Sequence, residues 1–200
     1  MSELLELAKK YITDKVSEEY MDLYAYYFEN VNNWKDKEIN LMEIGVLKGA
    51  SLRMWHEYFT KANIMGIDIN PKCKFEKDRV KIHIGDQSDE NFLNEVCKDK
   101  QFEIIIDDGG HKMSQQINSF KILWKYLKPG GLYIIEDLHT SYHDHFLDLG
   151  PYTTMNFLLK RLHDLNLGGK REYTDDDLNE YEKTLEFIHF YKSIVFIKKK

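Results

Sequence analysis

Five short apolar runs alternate with helical patterns along the chain, and this alternation restricts the choice of fold more than any other feature. The runs are residues 39–45, 63–68, 80–85, 102–107 and 132–136. Between and after them, apolar residues recur at the three- and four-residue spacing of an amphipathic helix, at 51–60, 91–97, 113–127 and 153–167. Strands that are apolar at nearly every position are typical of a parallel sheet covered by helices on both faces. The sequence therefore predicts an α/β fold.

Further elements are expected at the two ends of the chain. Apolar residues at helical spacing within 4–12 and 20–31 predict two N-terminal helices, with Ser17 capping the second. Two closing runs, 185–191 and 193–199, predict an antiparallel β-hairpin, although one longer bent strand is an alternative. With this pair, the five apolar runs make a mostly parallel sheet of seven strands. The Lys-Pro-Gly-Gly step at 128–131 predicts a firm stop after the helix before the fifth run.

Charge and composition disfavour several classes of function. Lys and Arg total 28 against 34 Asp and Glu, a formal net charge of −6, which argues against a general attraction to nucleic acid or an anionic membrane. The sequence has neither a long apolar run of membrane-spanning length nor the basic-then-apolar start of a secretory signal. Cys73 and Cys97 are too few for a disulfide framework and are expected as buried, reduced thiols. We expect a cytoplasmic protein with no nucleic-acid or membrane partner.

Every apolar run has a carboxylate at or near its carboxyl end. The acids are Glu43, Asp68, Asp86, the pair Asp107 and Asp108, and the pair Glu136 and Asp137. Because ligands of an open parallel sheet bind beyond the carboxyl ends of the strands, these residues are the candidates for a site. A single such acid is more often a helix N-cap. Several acids at one edge would repel each other, so the pattern predicts a cationic partner there.

The first strand leads into a glycine-containing turn, Glu-Ile-Gly-Val-Leu-Lys-Gly-Ala-Ser at 43–51. It lacks the three-glycine dinucleotide fingerprint, and the chain has no P-loop, so NAD and ATP are disfavoured. Acids at Glu43 and Asp68 suit a ligand that presents an amine and a ribose diol, because one carboxylate can accept hydrogen bonds from both hydroxyls. A tight turn with no ligand is the alternative.

Taken in order, the motifs E-I-G-V-x-x-G-x-S, G-I-D-I-N-P, G-D-Q, I-I-I-D-D-G-G-H and L-K-P-G-G-L-Y-I-I-E-D-L-H resemble class I S-adenosylmethionine-dependent methyltransferases. More narrowly, the sequence resembles the metal-dependent macrocin and mycinamicin sugar O-methyltransferases over about residues 13–142, including Thr-Asp-Lys at 13–15. The resemblance implies a Rossmann-like methyltransferase domain over residues 39–200, with the helical segment 1–38 packed on it.

The same resemblance implies an S-adenosylmethionine site. Gly45 would let the backbone approach the methionine part of the cofactor, and Asp68 would bind the ribose hydroxyls. Asp107 would lie near the ammonium group. The implied cofactor-binding residues are Glu43, Gly45, Ser51, Asp68, Asp86, Gln87 and Asp107, of which Asp86 and Gln87 would lie against the adenine.

A metal site and a general base are implied beside it. Asp108, Glu136 and Asp137 would hold a divalent ion and His111 would be the base. Hard carboxylate oxygens independently favour Mg²⁺ or Mn²⁺, which would orient an acceptor diol and acidify a hydroxyl. His111 follows Asp108 by three residues, near enough in a turn to reach that hydroxyl.

Other positions are more ambiguous. The family motif at 13–15 usually continues with glycine and histidine, where this chain has Val16 and Glu19, and the role of Lys15 is less secure than that of His111. Serine is common in the family where this chain has Gly110. Zinc ligation by His139, His143 and His145 is less favoured than an acceptor-lining loop or solvated polar residues. The aromatic-rich segment 11–28 favours core packing or a subunit contact over sugar stacking, and the second of these would make the protein a homo-oligomer.

We therefore expect an O-methyltransferase that uses S-adenosylmethionine and Mg²⁺ to methylate a small-molecule hydroxyl acceptor, a sugar or a glycosylated compound. Three alternatives stay open. A catechol-type O-methyltransferase would use the same metal with a more acidic acceptor. A cofactor-binding module without turnover, or an NAD-linked oxidoreductase as a remote third, would not need the carboxylates and histidine together.

Overall fold

A computed structural model describes residues 2–73, 77–167 and 177–200 of the chain. It divides into two compact units, residues 1–86 and 87–200. Across the described ranges, no helix combines the length and the apolar character needed to cross a membrane.

The first unit combines helices with three parallel strands. β1 (Asn40–Ile44) pairs in parallel with β2 (Asn63–Asp68), and β2 pairs in parallel with β3 (Val80–Ile84), in the order β3-β2-β1. Glu43 on β1 lies opposite Gly66 on β2, and Asp68 at the end of β2 lies opposite Ile84. The elements are α1 (Glu3–Tyr11), α2 (Met21–Ala25), β1 (Asn40–Ile44), α3 (Ala50–Tyr58), β2 (Asn63–Asp68) and β3 (Val80–Ile84).

The N-terminal segment differs from the prediction at the start of its second helix. Ser17 is not an N-cap, because its hydroxyl donates to the carbonyl of Asp14 and closes a 3₁₀ turn over Asp14–Val16. α2 begins later, at Met21, and continues as a π-helical turn over Tyr26–Val31. A serine can cap a helix or close a local turn, and the sequence does not distinguish the two.

The aromatic residues of this segment mostly form core. Tyr20, Tyr24, Tyr27 and Phe28 are at most 1% exposed. The ring of Phe28 contacts the rings of Trp55 and Phe59, which lie on and just after α3. Core packing, the more common use of such a stripe, therefore accounts for these four side chains.

The second unit pairs parallel strands with the predicted hairpin. β4 (Phe102–Asp107) is parallel to β5 (Leu127–Ile135). β7 (Ile194–Lys199) is antiparallel to β5 and to β6 (Leu185–Tyr191), so the order is β4-β5-β7-β6. The hairpin is therefore as expected rather than one bent strand. The elements are α4 (Glu90–Val96), β4 (Phe102–Asp107), α5 (Met113–Leu123), β5 (Leu127–Ile135), α6 (Thr154–Leu167), α7 (Glu180–Thr184), β6 (Leu185–Tyr191) and β7 (Ile194–Lys199).

The Lys-Pro-Gly-Gly step follows the end of the helix, as predicted, but it also belongs to β5. α5 ends at Leu123, a 3₁₀ turn follows over Trp124–Tyr126, and β5 begins at Leu127. The register of β5 against β4 shifts between Phe102 and Ile104, so the step lies in an irregular part of this strand pairing. Gly130 has φ +78° there, a backbone conformation that glycine adopts without a steric penalty.

Candidate active site

A cluster of three side chains forms beyond the ends of β4 and β5. Asp108 follows β4, Asp137 lies two residues beyond β5, and His111 is in the turn before α5. One potential ligand atom from each of the three lies within 4.8 Å of the others. His111 Nε2 is 3.5 Å from Asp137 Oδ2. All three side chains are half-buried, so they can meet a ligand from solvent.

Two of these three residues have an unusual backbone conformation. His111 has φ +59° and Asp137 has φ +58°, the left-handed region that residues other than glycine rarely adopt. Such conformations cost about 1–3 kcal/mol each and are concentrated at functional sites. The Nδ1 atom of His111 is buried without a hydrogen-bond partner. The turn is therefore held in a costly conformation that directs Nε2 of His111 toward Asp137.

The predicted third ligand, Glu136, is not part of this cluster. Its side chain is 2% exposed, and its backbone carbonyl accepts a hydrogen bond from Gln116 Nε2 at 3.1 Å. Glu136 directly precedes Asp137, whose left-handed backbone turns the chain at this point. The structure thus brings together two of the three predicted metal ligands and the predicted base.

The three histidines after β5 have a different arrangement. Among the described residues, the ligand-type cluster found is Asp108, His111 and Asp137, and His139, His143 and His145 do not take part in one. His139 Nδ1 lies 2.5 Å from Ser193 Oγ, in the turn of the β6–β7 hairpin. His139 therefore ties the segment after β5 to the hairpin.

Asp107, next to Asp108, lies in different surroundings. Its side chain is completely buried. Its Oδ1 accepts a hydrogen bond from Gln87 Nε2 at 3.0 Å, and its Oδ2 accepts one from the Ser119 hydroxyl. Burial raises the pKa of Asp107, and the hydrogen bonds from Ser119 and Gln87 partly offset that shift. Both oxygens of this predicted cofactor ligand thus bond to the protein itself.

In the first unit, Asp68 holds the glycine turn. Its Oδ2 accepts the backbone N–H groups of Val46 and Leu47 at 2.9 and 3.0 Å, and its Oδ1 accepts that of Asn70 at 2.8 Å. Burial acts to raise the pKa of Asp68, but these three N–H donors stabilise the carboxylate and lower its pKa below the ordinary value overall. Gly45 has φ +94° in the same turn, where a side chain would be strained.

Two further predicted cofactor residues, Glu43 and Ser51, belong to a buried network. Glu43 is fully buried, and its Oε2 accepts the Ser51 hydroxyl at 2.9 Å and Trp55 Nε1 at 3.1 Å. Lys15 Nζ lies 3.2 Å from Glu43 Oε1 and is 1% exposed. Lys15 therefore pairs with Glu43 inside the protein, a role that the sequence left open. Asp86, which follows β3, is half-buried.

Sequence reasoning missed a contact that fixes the segment after Asp137. Phe146 places its ring edge-on to His111, with ring centroids 6.3 Å apart. Asp148 Oδ1 accepts the backbone N–H of Ser114 at 3.0 Å, and Asp148 Oδ2 accepts the Ser114 hydroxyl. Ser114 and Asp148 are 34 positions apart, so no local sequence pattern predicts this contact.

Comparisons with known proteins agree with this fold. A family model described as a methyltransferase domain matches residues 42–138. The 8-demethyl-8-alpha-L-rhamnosyl tetracenomycin-C 2'-O-methyltransferase of Streptomyces olivaceus is 30% identical over 187 residues, 88% of this chain and 50% of that protein. The demethylmacrocin O-methyltransferase of Streptomyces fradiae is 35% identical over 148 residues, 70% of this chain and 37% of that protein.

Among solved structures, MycE methyltransferase from the mycinamycin biosynthetic pathway, in complex with Mg and SAH, has a TM-score of 0.89 at 27% identity. The match covers 99% of this chain and 54% of that chain. The predicted Rossmann-like α/β fold, with a mostly parallel seven-stranded sheet and a C-terminal hairpin, is confirmed. The chain belongs to the class I S-adenosylmethionine-dependent methyltransferases. It spans half the length, or less, of the two curated relatives named above.

Proposed function

We propose that this protein is a divalent-metal-dependent O-methyltransferase that transfers a methyl group from S-adenosylmethionine to a hydroxyl of a sugar or glycosylated small molecule. The observation that carries the proposal is the cluster of Asp108, His111 and Asp137 beyond the ends of two neighbouring parallel strands. Two carboxylates beside one imidazole supply what methylation of an alcohol needs: ligands for a cation and an acceptor for a proton.

The donor set fits a hard dication. Carboxylate oxygens are the ligands that Mg²⁺ and Mn²⁺ prefer, and the half-buried position of the cluster leaves room for water or acceptor hydroxyls to complete the coordination. Asp108 and Asp137 would hold the ion. Glu136, the residue before Asp137, remains a proposed third ligand.

His111 is the proposed general base. When bound, S-adenosylmethionine supplies an activated methyl group and Mg²⁺ supplies a Lewis acid that acidifies an acceptor hydroxyl. His111 Nε2, on the side of the imidazole that faces Asp137, would take the hydroxyl proton. Asp137, 3.5 Å away, would stabilise the imidazolium that results. The ring contact from Phe146 restrains the imidazole, so that less rotational freedom is lost when the acceptor binds.

Three proposed cofactor-binding residues, Gly45, Asp68 and Asp86, lie at or just after the carboxyl ends of strands. In the first unit, Gly45 would let the backbone approach the methionine part, and Asp68, ionised at neutral pH, would accept hydrogen bonds from the ribose. Asp86 would contact the adenine. Glu43 and Ser51 would act indirectly, because their polar atoms bond to each other and to Trp55.

The relatives support a sugar as acceptor. The first two named above act, by their names, on a rhamnosyl tetracenomycin and on demethylmacrocin. A mycinamicin VI 2''-O-methyltransferase of Micromonospora griseorubida is also 34% identical over 149 residues. We further propose a cytoplasmic location, supported by Cys73 and Cys97 as free, buried thiols, and a homo-oligomer, which light scattering would test.

Replacement of His111 by alanine tests the reaction and separates it from catechol methylation. With an aliphatic diol glycoside as acceptor, we expect kcat to fall by about 10²–10⁴-fold, the usual contribution of a general base. A catechol hydroxyl is more acidic, so kcat for methylation of a catechol would fall much less in His111→Ala. Turnover is measured as S-adenosylhomocysteine released, with and without EDTA and with Mg²⁺ restored.

Three results would overturn the proposal. Activity unchanged by EDTA would remove metal dependence. The catechol-type alternative would be favoured if the protein methylated a catechol but no glycoside, and if His111→Ala lost only a modest part of the activity on the catechol. Binding of cofactor without any metal affinity would instead favour a module that does not turn over.

A further inference from the structure

Gln87 is a buried amide with both ends occupied. It is 5% exposed, and its Nε2 donates to Asp107 Oδ1 at 3.0 Å while its Oε1 accepts the backbone N–H of Gly110 at 2.8 Å. Because the donor end meets a carboxylate and the acceptor end meets an N–H, the amide has one orientation that satisfies both partners. Gln87 therefore links the end of β4 to the turn that follows it.

That turn carries the cluster. Asp108 and His111 lie on either side of Gly110, and His111 has the strained φ of +59°. A second glutamine acts from the other side, since Gln115 Oε1 accepts the backbone N–H of Lys112 at 3.2 Å. The backbone N–H groups of both residues that flank His111 are thus held by glutamine side chains. A strained turn persists only when its surroundings hold it, and these two bonds do so.

Asp107 anchors the deeper of the two glutamines. Its other oxygen accepts the hydroxyl of Ser119 on α5, so a continuous path of hydrogen bonds runs from Ser119 through Asp107 and Gln87 to Gly110. The path is buried from Ser119 to Gln87, where exchange with water cannot replace a lost partner.

We propose that Gln87 is a positioning residue that fixes the Asp108–His111 turn for metal binding, rather than a residue that reads the adenine of the cofactor. This inference rests on the proposed metal-dependent function. Groups that orient metal ligands from behind change metal affinity by about 10–100-fold when they are removed. An adenine contact would change cofactor affinity instead.

Gln87→Met keeps the length of the side chain and removes both hydrogen bonds. With Mn²⁺ as the probe, followed by its electron paramagnetic resonance signal, we expect the Kd for the ion to rise by about tenfold or more. The Kd for S-adenosylhomocysteine, measured by calorimetry on the metal-free protein, should stay close to that of wild type. The opposite pattern, with weaker S-adenosylhomocysteine and unchanged Mn²⁺, would overturn the inference.

Ser119→Ala is the matched control. It removes a hydrogen bond from the same carboxylate, Asp107, but leaves both hydrogen bonds of Gln87 in place, so its Mn²⁺ affinity should fall much less than that of Gln87→Met. An equal loss in Ser119→Ala and Gln87→Met would mean that any damage to Asp107 weakens the site, and it would overturn the specific role of Gln87.

A second pair of variants exchanges the carboxylate and the amide between positions 87 and 107, in case Gln87→Met fails to fold. Gln87→Glu alone sets two buried carboxylates against each other and should weaken Mn²⁺ binding. Adding Asp107→Asn restores a donor facing an acceptor, keeps an acceptor for Gly110, and should recover most of the affinity. A double variant no better than Gln87→Glu would overturn the inference. Failure of wild type itself to bind Mn²⁺ would instead overturn the proposed function.

Discussion

Two consecutive aspartates at the end of β4 have opposite surroundings. Asp107 is fully buried, and both of its oxygens accept hydrogen bonds from side chains of the protein, whereas Asp108 is half-buried and joins the cluster with His111 and Asp137. Successive side chains of a strand point to opposite sides, so one of two adjacent acids faces the interior. The motif predicts that both matter, but the register decides which supports the site and which enters it.

Asp68 illustrates a second supporting carboxylate, and its lowered pKa makes a prediction about stability. A group with a depressed folded-state pKa stabilises the fold above its unfolded value, about 3.9 for aspartate, and loses that contribution as the pH falls through the folded value. We expect Asp68→Asn to be less stable than wild type at pH 7, because an amide cannot accept from Val46, Leu47 and Asn70 at both ends.

The difference in unfolding free energy between wild type and Asp68→Asn should narrow as the pH falls below about 4, because Asp68 of the unfolded chain takes up its proton at a higher pH than Asp68 of the folded protein. Urea denaturation at a series of pH values measures it. A difference that stays constant down to the lowest pH at which both proteins fold would show that the carboxylate charge contributes nothing to holding the turn.

At the scale of elements, the Lys15–Glu43 pair joins the N-terminal segment to β1, and Trp55 and Ser51 join β1 to α3. Removing one partner of a buried ion pair leaves an uncompensated charge and costs about 3–5 kcal/mol. We therefore expect Lys15→Met to lower the free energy of unfolding by about that amount.

The double variant Lys15→Met with Glu43→Gln has no buried charge at this position, and the amide oxygen introduced by the second substitution can still accept from Ser51 and Trp55. It should be more stable than Lys15→Met alone, as measured by chemical denaturation. If the second substitution gives no recovery, the cost of the first does not arise from the charge of Glu43.

Elements with a clear periodicity were predictable to within a few residues, as the β2 strand at 63–68 and the α6 helix at 154–167 show. The boundaries between elements were harder to predict. Ser17 and the Lys-Pro-Gly-Gly step both looked like signals for a helix boundary, but serine can close a 3₁₀ turn and glycine can also form a bulge. The short helix α7, at Glu180–Thr184, has too few residues to show a period.

The site divides in the same way. The identities of Asp108, His111 and Asp137 followed from a resemblance and from the chemistry of carboxylates, and their proximity was a consequence of parallel strands that end at one edge. The residues that support the site could not be predicted from the sequence. Lysine is rarely buried, so nothing in the sequence indicated a buried ion pair for Lys15. Ser119 is one of several polar residues on α5, and tertiary packing decides which of them point toward the core.

At the scale of the whole molecule, the proposed roles fall into two groups of residues. The proposed ribose contact, Asp68, is in the first unit, and the proposed metal ligands are in the second. If the roles are assigned correctly, each ligand should stabilise the full chain through its own residues. A ligand that binds only the folded state at one hundred times its Kd adds about 2.7 kcal/mol.

For a chain of this length that addition corresponds to a rise in Tm of about 5–10 °C. We expect S-adenosylhomocysteine to raise the Tm of wild type and of Asp137→Asn alike, and Mg²⁺ to raise that of wild type but not that of Asp137→Asn. Asp68→Ala should show the reverse, keeping the response to Mg²⁺ and losing most of the response to S-adenosylhomocysteine at the same concentration.

Each shift in Tm is measured from the ligand-free Tm of the same variant, which removes the effect of the substitution on stability itself. Loss of both responses in Asp137→Asn would mean that this carboxylate supports the cofactor as well as the ion, and the assignment of separate residues to the two ligands would be wrong.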